Sequence, residues 1–361
     1  MTTSRAALLT GPDTVELVEY PVPDVGEDDA VLRIEAAALC GSDIAQVRSG
    51  LSAGRPTHLV PGHEPMGVVH AIGRSAARRW GVGVGDRVAV EVVVPCHECP
   101  SCAVRNHVAC ERSLGAYGYR PFESPTPLIG GFADYMYLHP QSVVHRIDAE
   151  VPVAEAAMFN SIAAGVRWAG HLGDVRPGAT VVILGAGQRG IAAAIAARQA
   201  GAEQIIVTGL AQDAHKLDAA LAIAADSAVM ADSEDVPERV RELTGGRLAD
   251  VVLDLTPDAA QPVQDALEAV RPGGRVVLAG LKHGRGIELV TDRIVQKGIT
   301  VVGARGVEST SIDEAIALIE SRRFPLDLLH THSFGLDEVV HAIDVLAGVP
   351  DDPAIHVSLV P

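Results

Sequence analysis

Residues 180–197 constrain the fold of this chain more than any other stretch. They read Thr-Val-Val-Ile-Leu-Gly-Ala-Gly-Gln-Arg-Gly-Ile-Ala-Ala-Ala-Ile-Ala-Ala. An apolar, β-branched run ends at Gly185, and a small-residue helix pattern starts within five residues. Strand, glycine turn and helix in that order suit a bound dinucleotide. Gly185 permits the turn, Gly187 lets the backbone approach a pyrophosphate, and Gly190 lets the helix lie close on the strand. The unpaired N–H groups at the start of the helix that follows face the negative charge, and Gln188 and Arg189 of the loop are candidate coenzyme-binding residues. A G-x-G-x-x-G pattern alone is weak evidence. Its position between a strand and a helix makes dinucleotide binding the expectation.

At 361 residues the chain is long for a single core, which predicts two domains. Aromatic residues make up only 3%, so the core must be built from Ala, Val, Leu and Ile. A net charge of −17 argues against nucleic acid or an anionic membrane as partner, since both require basic surface. No apolar stretch is long enough to span a bilayer. The opening Met-Thr-Thr-Ser-Arg has no apolar run behind it, which predicts a cytoplasmic, reducing location. In that compartment clustered cysteines point to metal rather than to disulfides.

Up to about residue 150, short alternating runs such as Ala-Val-Leu-Arg-Ile-Glu-Ala at 30–36 are separated by Gly- and Pro-rich turns. This texture predicts a β-rich, barrel-like domain. Within it, Cys96-x2-Cys99-x2-Cys102-x7-Cys110 places four thiolates on one compact loop. Four sulfurs close a tetrahedral shell, so a structural zinc is expected; an iron–sulfur cluster is the competing use of four thiolates. His97 and His107 lie in the same loop and are expected to be exposed turn residues. The fifth cysteine sits in Cys40-Gly41-Ser42-Asp43, with Gly62-His63-Glu64 downstream. One thiolate, one imidazole and one carboxylate form an incomplete shell, which can admit water or substrate.

The set formed by Cys40-Gly41-Ser42-Asp43, Gly62-His63-Glu64, the four-cysteine lobe, Gly131-Phe132-Ala133-Asp134-Tyr135 and the glycine loop resembles the zinc-containing medium-chain dehydrogenase/reductase superfamily, in family order and over nearly the whole chain. The resemblance implies an α/β protein: a GroES-like β-rich catalytic domain at 1–155, completed by 304–361, plus a Rossmann doubly wound parallel-sheet domain at 156–303. It implies an active site between them and a homodimer or homotetramer. Cys40, His63 and Glu64 match ligands or neighbours of a catalytic zinc, and Ser42 matches the hydroxyl that takes the substrate's proton. Asp43 matches the carboxylate that orients the ligand histidine. The fourth ligand position falls on Asn160, a weaker ligand than a carboxylate, so water can take its place. Glu155 competes for that role but fits better as a charge at a helix start. Where many relatives carry a relay histidine this chain has Ala45, and His58 is a substitute without positional support. The implied reaction moves a hydride between an alcohol or carbonyl substrate and a nicotinamide coenzyme. The rival readings are a binding protein that has lost catalysis and a zinc-free reductase of the same fold.

From about residue 156, strand patterns at 180–184, 204–208, 227–230, 250–255, 275–279 and 300–302 alternate with helix patterns at 190–200, 214–225, 235–244 and 261–270. That alternation predicts a parallel sheet with covered faces. Arg271-Pro272-Gly273-Gly274 reads as a stop and turn before the fifth strand. About twenty residues past the glycine loop, an acid normally holds the ribose hydroxyls of NAD and repels the phosphate of NADP. Gly209 stands there, with Arg189, His215 and Lys216 as the nearby basic residues and Asp213 as the N-cap of the next helix. The choice between NAD and NADP stays open, tilted slightly to NADP. Near the end, 311–323 and 336–347 read as helices and 328–334 as a strand. His330 and His332 are expected to share one face of that strand without binding metal.

Overall fold

The computed structural model describes residues 2–52, 55–56, 58–349 and 352–361. Contacts divide the chain into two compact units. One comprises Met1–Asn160, Glu308–Ser321 and His330–Pro361; the other comprises Ser161–Val307 and Arg322–Leu329.

The first unit is built on a mixed sheet in the order Val144–Arg146, Arg87–Val90, Glu64–Ile72, Ala30–Ala38, His356–Leu359, His330–Phe334, with Tyr135–Leu138 also pairing to Ala30–Ala38. The strands Thr3–Gly11 and Thr14–Pro21 form an antiparallel hairpin. Its second strand, Thr-Val-Glu-Leu-Val-Glu-Tyr-Pro, keeps no residue fully buried, so hydrophobic alternation carried little signal there. Leu9, Leu39, Val60, Leu128, Phe132 and Leu359 are fully buried in one core of this unit. Phe132 belongs to the Gly-Phe-Ala-Asp-Tyr motif, and the turn at Gly62 depends on it. Gly62 has φ +92°, and a Cβ there would lie 2.4 Å from the Phe132 ring. Phe132 N also donates to Pro61 O at 3.0 Å, and Gly131 N to Gly62 O at 2.8 Å. The motif thereby clamps the backbone that carries His63.

The second unit is a six-stranded parallel sheet in the spatial order Ser227–Met230, Gln204–Gly209, Thr180–Leu184, Ala249–Asp254, Val270–Leu278, Thr300–Gly303. Numbered by position in the chain this is 3-2-1-4-5-6, the doubly wound arrangement. Every residue of Thr180–Leu184 is buried, as a central parallel strand covered on both faces requires. The helix Gln261–Ala269 does end just before Arg271–Gly274, but no separate turn follows it. The strand starts at Val270, and the register slips between Ala249 and Val251, so the Pro-Gly-Gly segment is absorbed as an irregularity within it. Asp213 does stand at the N-cap of the helix Ala214–Ile223, but its side chain makes no capping bond; Lys216 holds it instead, at 2.7 Å. A short helix at Asp292–Lys297 lies outside the helix patterns of the sequence.

Candidate metal and coenzyme sites

Cys40 is the N-cap of the helix Gly41–Ser49, which leaves the end of the strand Ala30–Ala38. Ala38 pairs with Glu64, the first residue of the neighbouring strand. Strand pairing therefore brings two segments more than twenty residues apart to one point. The donor atoms of Cys40, His63 and Glu64 all lie within 4.8 Å of one another, and all three residues are buried. Cys40 Sγ is 3.3 Å from His63 Nε2, and Glu64 Oε1 is 3.6 Å from the same nitrogen.

Asp43 organises this group. Its fully buried carboxylate accepts from Cys40 N at 2.8 Å through Oδ2 and meets His63 Nδ1 at 3.1 Å through Oδ1. A proton on Nδ1 directs the lone pair of Nε2 toward Cys40 and Glu64, which is how a carboxylate prepares a ligand histidine. Burial alone would favour neutral His63, but the charges and hydrogen bonds of Asp43 and Cys40 outweigh it and raise its pKa well above the ordinary value. Three acidic groups packed around one imidazole attract a cation. Ser42 is exposed at the helix start, its Oγ 2.7 Å from Cys40 Sγ. Ala45 and His58 are also exposed, whereas Asn160 is buried in the helix Phe159–Gly165 and Glu155 sits in the first turn of Val153–Ala156.

The ring of Tyr119 tilts over His63 with centroids 4.6 Å apart. Burial, together with Asp43 and Cys40, pushes its hydroxyl pKa upward. The turn carrying it is pinned: Gln46 Nε2 donates to Gly118 O at 2.8 Å, and a Cβ on Gly118 would meet Gly62 at 2.6 Å. Tyr119 lies in the 115–123 stretch, whose only sequence signal is its density of glycine and aromatic residues.

The four lobe cysteines also have donor atoms within 4.8 Å of one another, and all five cysteines are free thiols. Sulfur–sulfur distances are 3.5 Å for Cys96–Cys110 and Cys99–Cys102, 3.8 Å for Cys99–Cys110 and 4.0 Å for Cys96–Cys102. A tetrahedral shell with Zn–S near 2.3 Å places its sulfurs ~3.8 Å apart, so the four fit a zinc. Backbone N–H groups of Cys102 and Glu111 draw the Cys99 thiol down to about 6, while burial pushes Cys102 up to about 12. Four sulfurs at such spacing cannot all ionise without a cation among them.

His97 is exposed and takes a left-handed backbone at φ 59°, but His107 departs from the exposed-turn expectation. It is buried, and its Nδ1 meets Glu91 Oε2 at 2.8 Å. Glu91 Oε1 meets His145 Nε2 at 2.9 Å and accepts from Ser309 Oγ; His145 Nδ1 meets Asp313 Oδ1 at 2.6 Å. These partners come from distant segments, so nothing within the cysteine loop announced them. His330 and His332 find separate partners: His356 Nδ1 at 2.9 Å for the first and Asp352 Oδ1 at 3.0 Å for the second. Among the described residues, neither joins a group of three or more metal-ligating side chains.

In the second unit each glycine of the loop has its own steric reason. Gly185 has φ +109°, which favours glycine. Gly187 caps the helix Gln188–Gln199, and nothing lies within 4 Å of where its Cβ would be, so the backbone there is open to a ligand. A Cβ on Gly190 would come within 1.9 Å of Gly185 O. Gln188 is buried, and the Arg189 guanidinium lies over the Trp168 ring at 5.5 Å. Thr256 packs beside Gly185, its methyl 3.3 Å from a Cβ at that position. Thr256 is in turn held by Asp254 Oδ1, at 2.6 Å from its hydroxyl, and Asp254 Oδ2 pairs with Lys282 Nζ at 2.9 Å. An aspartate closing the apolar strand Ala249–Asp254 is the one sequence signal that could have pointed to this buried pair. Gly209 ends its strand in a buried position.

Comparison with known proteins agrees with both units. Residues 26–149 match the alcohol dehydrogenase GroES-like domain family, and residues 189–321 match the zinc-binding dehydrogenase family. A Mycobacterium tuberculosis (strain H37Rv) protein named "probable alcohol dehydrogenase" is 39% identical over 99% of this chain and 98% of its own length. An erythritol/L-threitol dehydrogenase of Mycolicibacterium smegmatis is 30% identical over 99% of this chain and 97% of its own. The solved alcohol dehydrogenase of Thermus sp. ATN1 superposes with a TM-score of 0.86 at 26% identity, covering 99% of each chain. With its GroES-like and Rossmann halves, its four-cysteine lobe and relatives named as alcohol and polyol dehydrogenases, the chain belongs to the zinc-containing medium-chain dehydrogenase/reductase superfamily and is an oxidoreductase of CH–OH donors.

Proposed function

We propose that this protein is a zinc-dependent dehydrogenase that moves a hydride between an alcohol or carbonyl substrate and NAD(P)(H). The observation that carries the reading is the Cys40, His63, Glu64 group with Asp43 bound to both Cys40 and His63. These three residues would hold the catalytic zinc, with Asn160 or water completing the shell, and Cys96, Cys99, Cys102 and Cys110 would hold a structural one. A zinc with an open position polarises the substrate oxygen when bound. Ser42, exposed beside Cys40, hydrogen-bonds that oxygen and takes its proton. With Ala45 three residues after Ser42, the chain supplies no histidine at that position to pass the proton outward. Gly185, Gly187 and Gly190 hold the dinucleotide against the helix start, with Gln188 and Arg189 at its phosphates and Gly209 and Lys216 toward its ribose.

On this reading residues 1–155 with 304–361 form the catalytic domain, and 156–303 the coenzyme domain. A homo-oligomer is supported by the strand Thr300–Gly303, which ends the sheet, and by the apolar side chains of Leu281 and Val295, 73% and 78% exposed. No helix among the described residues is long and apolar enough to cross a membrane, and free thiols suit the reducing cytoplasm where we place the protein.

The test is oxidation of a panel of alcohols, polyols and hydroxy amino acids with NAD and NADP in parallel, together with zinc analysis. Turnover with two zincs per chain is expected, and Cys40→Ser should abolish turnover while keeping the lobe zinc. Full turnover by Cys40→Ser refutes the mechanism. One zinc without turnover favours the binding protein, and chelator-insensitive reduction of activated double bonds favours the zinc-free reductase.

A further inference from the structure

NAD and NADP differ by one phosphate on the adenosine ribose, and in a doubly wound sheet that ribose is read at the end of the second strand. Here that strand ends at Gly209. Packing there is tight: a Cβ at Gly209 would lie 3.2 Å from Leu217 Cγ and Cδ2 and 3.4 Å from Ala186 Cβ, so these neighbours would have to give by a few tenths of an ångström. A side chain at 209 would be pressed between the following helix and the glycine loop.

The groups just beyond Gly209 are already engaged. Ala211 N donates to Asp232 Oδ2 at 3.0 Å, and Leu210 N faces Asp213 Oδ2 at 3.4 Å. Asp232 arrives from the turn after the adjacent strand, where Met230 pairs with Gly209 and Ala231 N donates to Gly209 O at 2.8 Å. Lys216, a cation that could serve a phosphate, gives its ammonium to Asp213 Oδ1 at 2.7 Å. Arg189 lies over Trp168. Recognition of a phosphate at a strand end needs free N–H donors and cations. In this protein both amides look onto carboxylates, and the lysine is neutralised by one of them.

We propose that Asp232, supported by Asp213, takes over from the next strand the role of the acid missing at position 209, so that the enzyme selects NAD over NADP. One oxygen of Asp232 is used on Ala211 N, and Oδ1 is left to accept from a ribose hydroxyl. A ribose phosphate would meet two carboxylates and displace their amide bonds. The inference rests on the coenzyme site proposed above, and it reverses the lean toward NADP that Gly209 alone suggests.

Separate titrations of the purified, zinc-loaded protein with NADH and NADPH, followed by nicotinamide fluorescence, test it without a known substrate. NADH should bind at least tenfold more tightly. Asp232→Ser should weaken NADH several-fold, strengthen NADPH and cut the selectivity tenfold or more. Asp213→Asn should release Lys216, strengthening NADPH and narrowing the selectivity further. Equal or tighter NADPH binding by the unaltered protein overturns the proposal, as does selectivity that Asp232→Ser leaves unchanged. Binding of neither nucleotide would instead overturn the coenzyme site itself.

Discussion

Replacing Asp43 by Asn keeps the size of the side chain and removes its charge, which makes it a sharp probe of the candidate catalytic site. The carboxylate is fully buried and receives two donors, Cys40 N on Oδ2 and His63 Nδ1 on Oδ1. An amide has only one acceptor oxygen, so its NH2 group must point at one of those donors. The mismatch leaves a buried donor unsatisfied at about 1–3 kcal/mol. The other bond survives but is no longer charge-assisted, which roughly halves its strength. Since about 1.4 kcal/mol is a factor of ten, the Cys40–His63–Glu64 group should lose roughly ten- to a hundredfold in zinc affinity. The four-cysteine lobe serves as an internal control, because Asp43 bonds none of its sulfurs. Dialysis against graded chelator, followed by metal analysis, should strip Asp43→Asn to one zinc per chain under conditions where the unaltered protein keeps two. Retention of both zincs with unchanged chelator resistance would refute the argument that Asp43 organises the site.

Gly190→Ala places a methyl 1.9 Å from Gly185 O, so the loop must shift; NADH binding should fall on the order of a hundredfold with zinc content intact, and an unchanged dissociation constant would contradict this. His145, whose neutral form burial favours, is held above its ordinary pKa because Asp313 and Glu91 outweigh that burial. A raised folded-state pKa stabilises fully below the unfolded value near 6.5 and fades as pH climbs through the folded value. Thermal stability should therefore decline above that pH, and His145→Gln should flatten the decline; an equal slope in the variant would count against it. Burial works against ionised Glu91, but hydrogen bonds from His107 and His145 hold its pKa down to about 2, so its contribution is present above about 4.5 and lost as pH falls toward 2. Leu281→Glu combined with Val295→Glu would bury unpaired charge in the proposed contact at roughly 3–5 kcal/mol, so light scattering should register monomers, and an unaltered mass would exclude these two side chains from the interface.

How much of this was readable in advance follows from how local each determinant is. The strand at Thr180–Leu184 begins and ends where its apolar run does, because a central parallel strand is buried on both faces. The hairpin Thr3–Gly11 with Thr14–Pro21 leaves little mark in the sequence because no residue of its second strand is fully buried. Cys40, Asp43, His63 and Glu64 were legible as chemistry, but their convergence depends on the pairing of Ala38 with Glu64. Tyr119 reaches His63 only because Gly118 approaches Gly62, a contact no spacing rule encodes. His107 was misread as exposed since its partners Glu91 and Ser309 lie outside its loop.

Gly209 marks the limit most clearly. Read along the chain, a missing acid is the loss of an obstacle to NADP. Read across the sheet, the same position lies beside a turn that supplies Asp232, and strand pairing brings that carboxylate to the amide just past the glycine. A parallel sheet makes residues twenty or more apart into neighbours at its carboxyl end, where coenzymes are read. Specificity at such an edge belongs to the pair of strands, so a substitution at 209 alone should meet Leu217 before it meets a ribose. Changing the coenzyme preference of this protein then requires altering Asp232 and Asp213 first, with position 209 left as glycine.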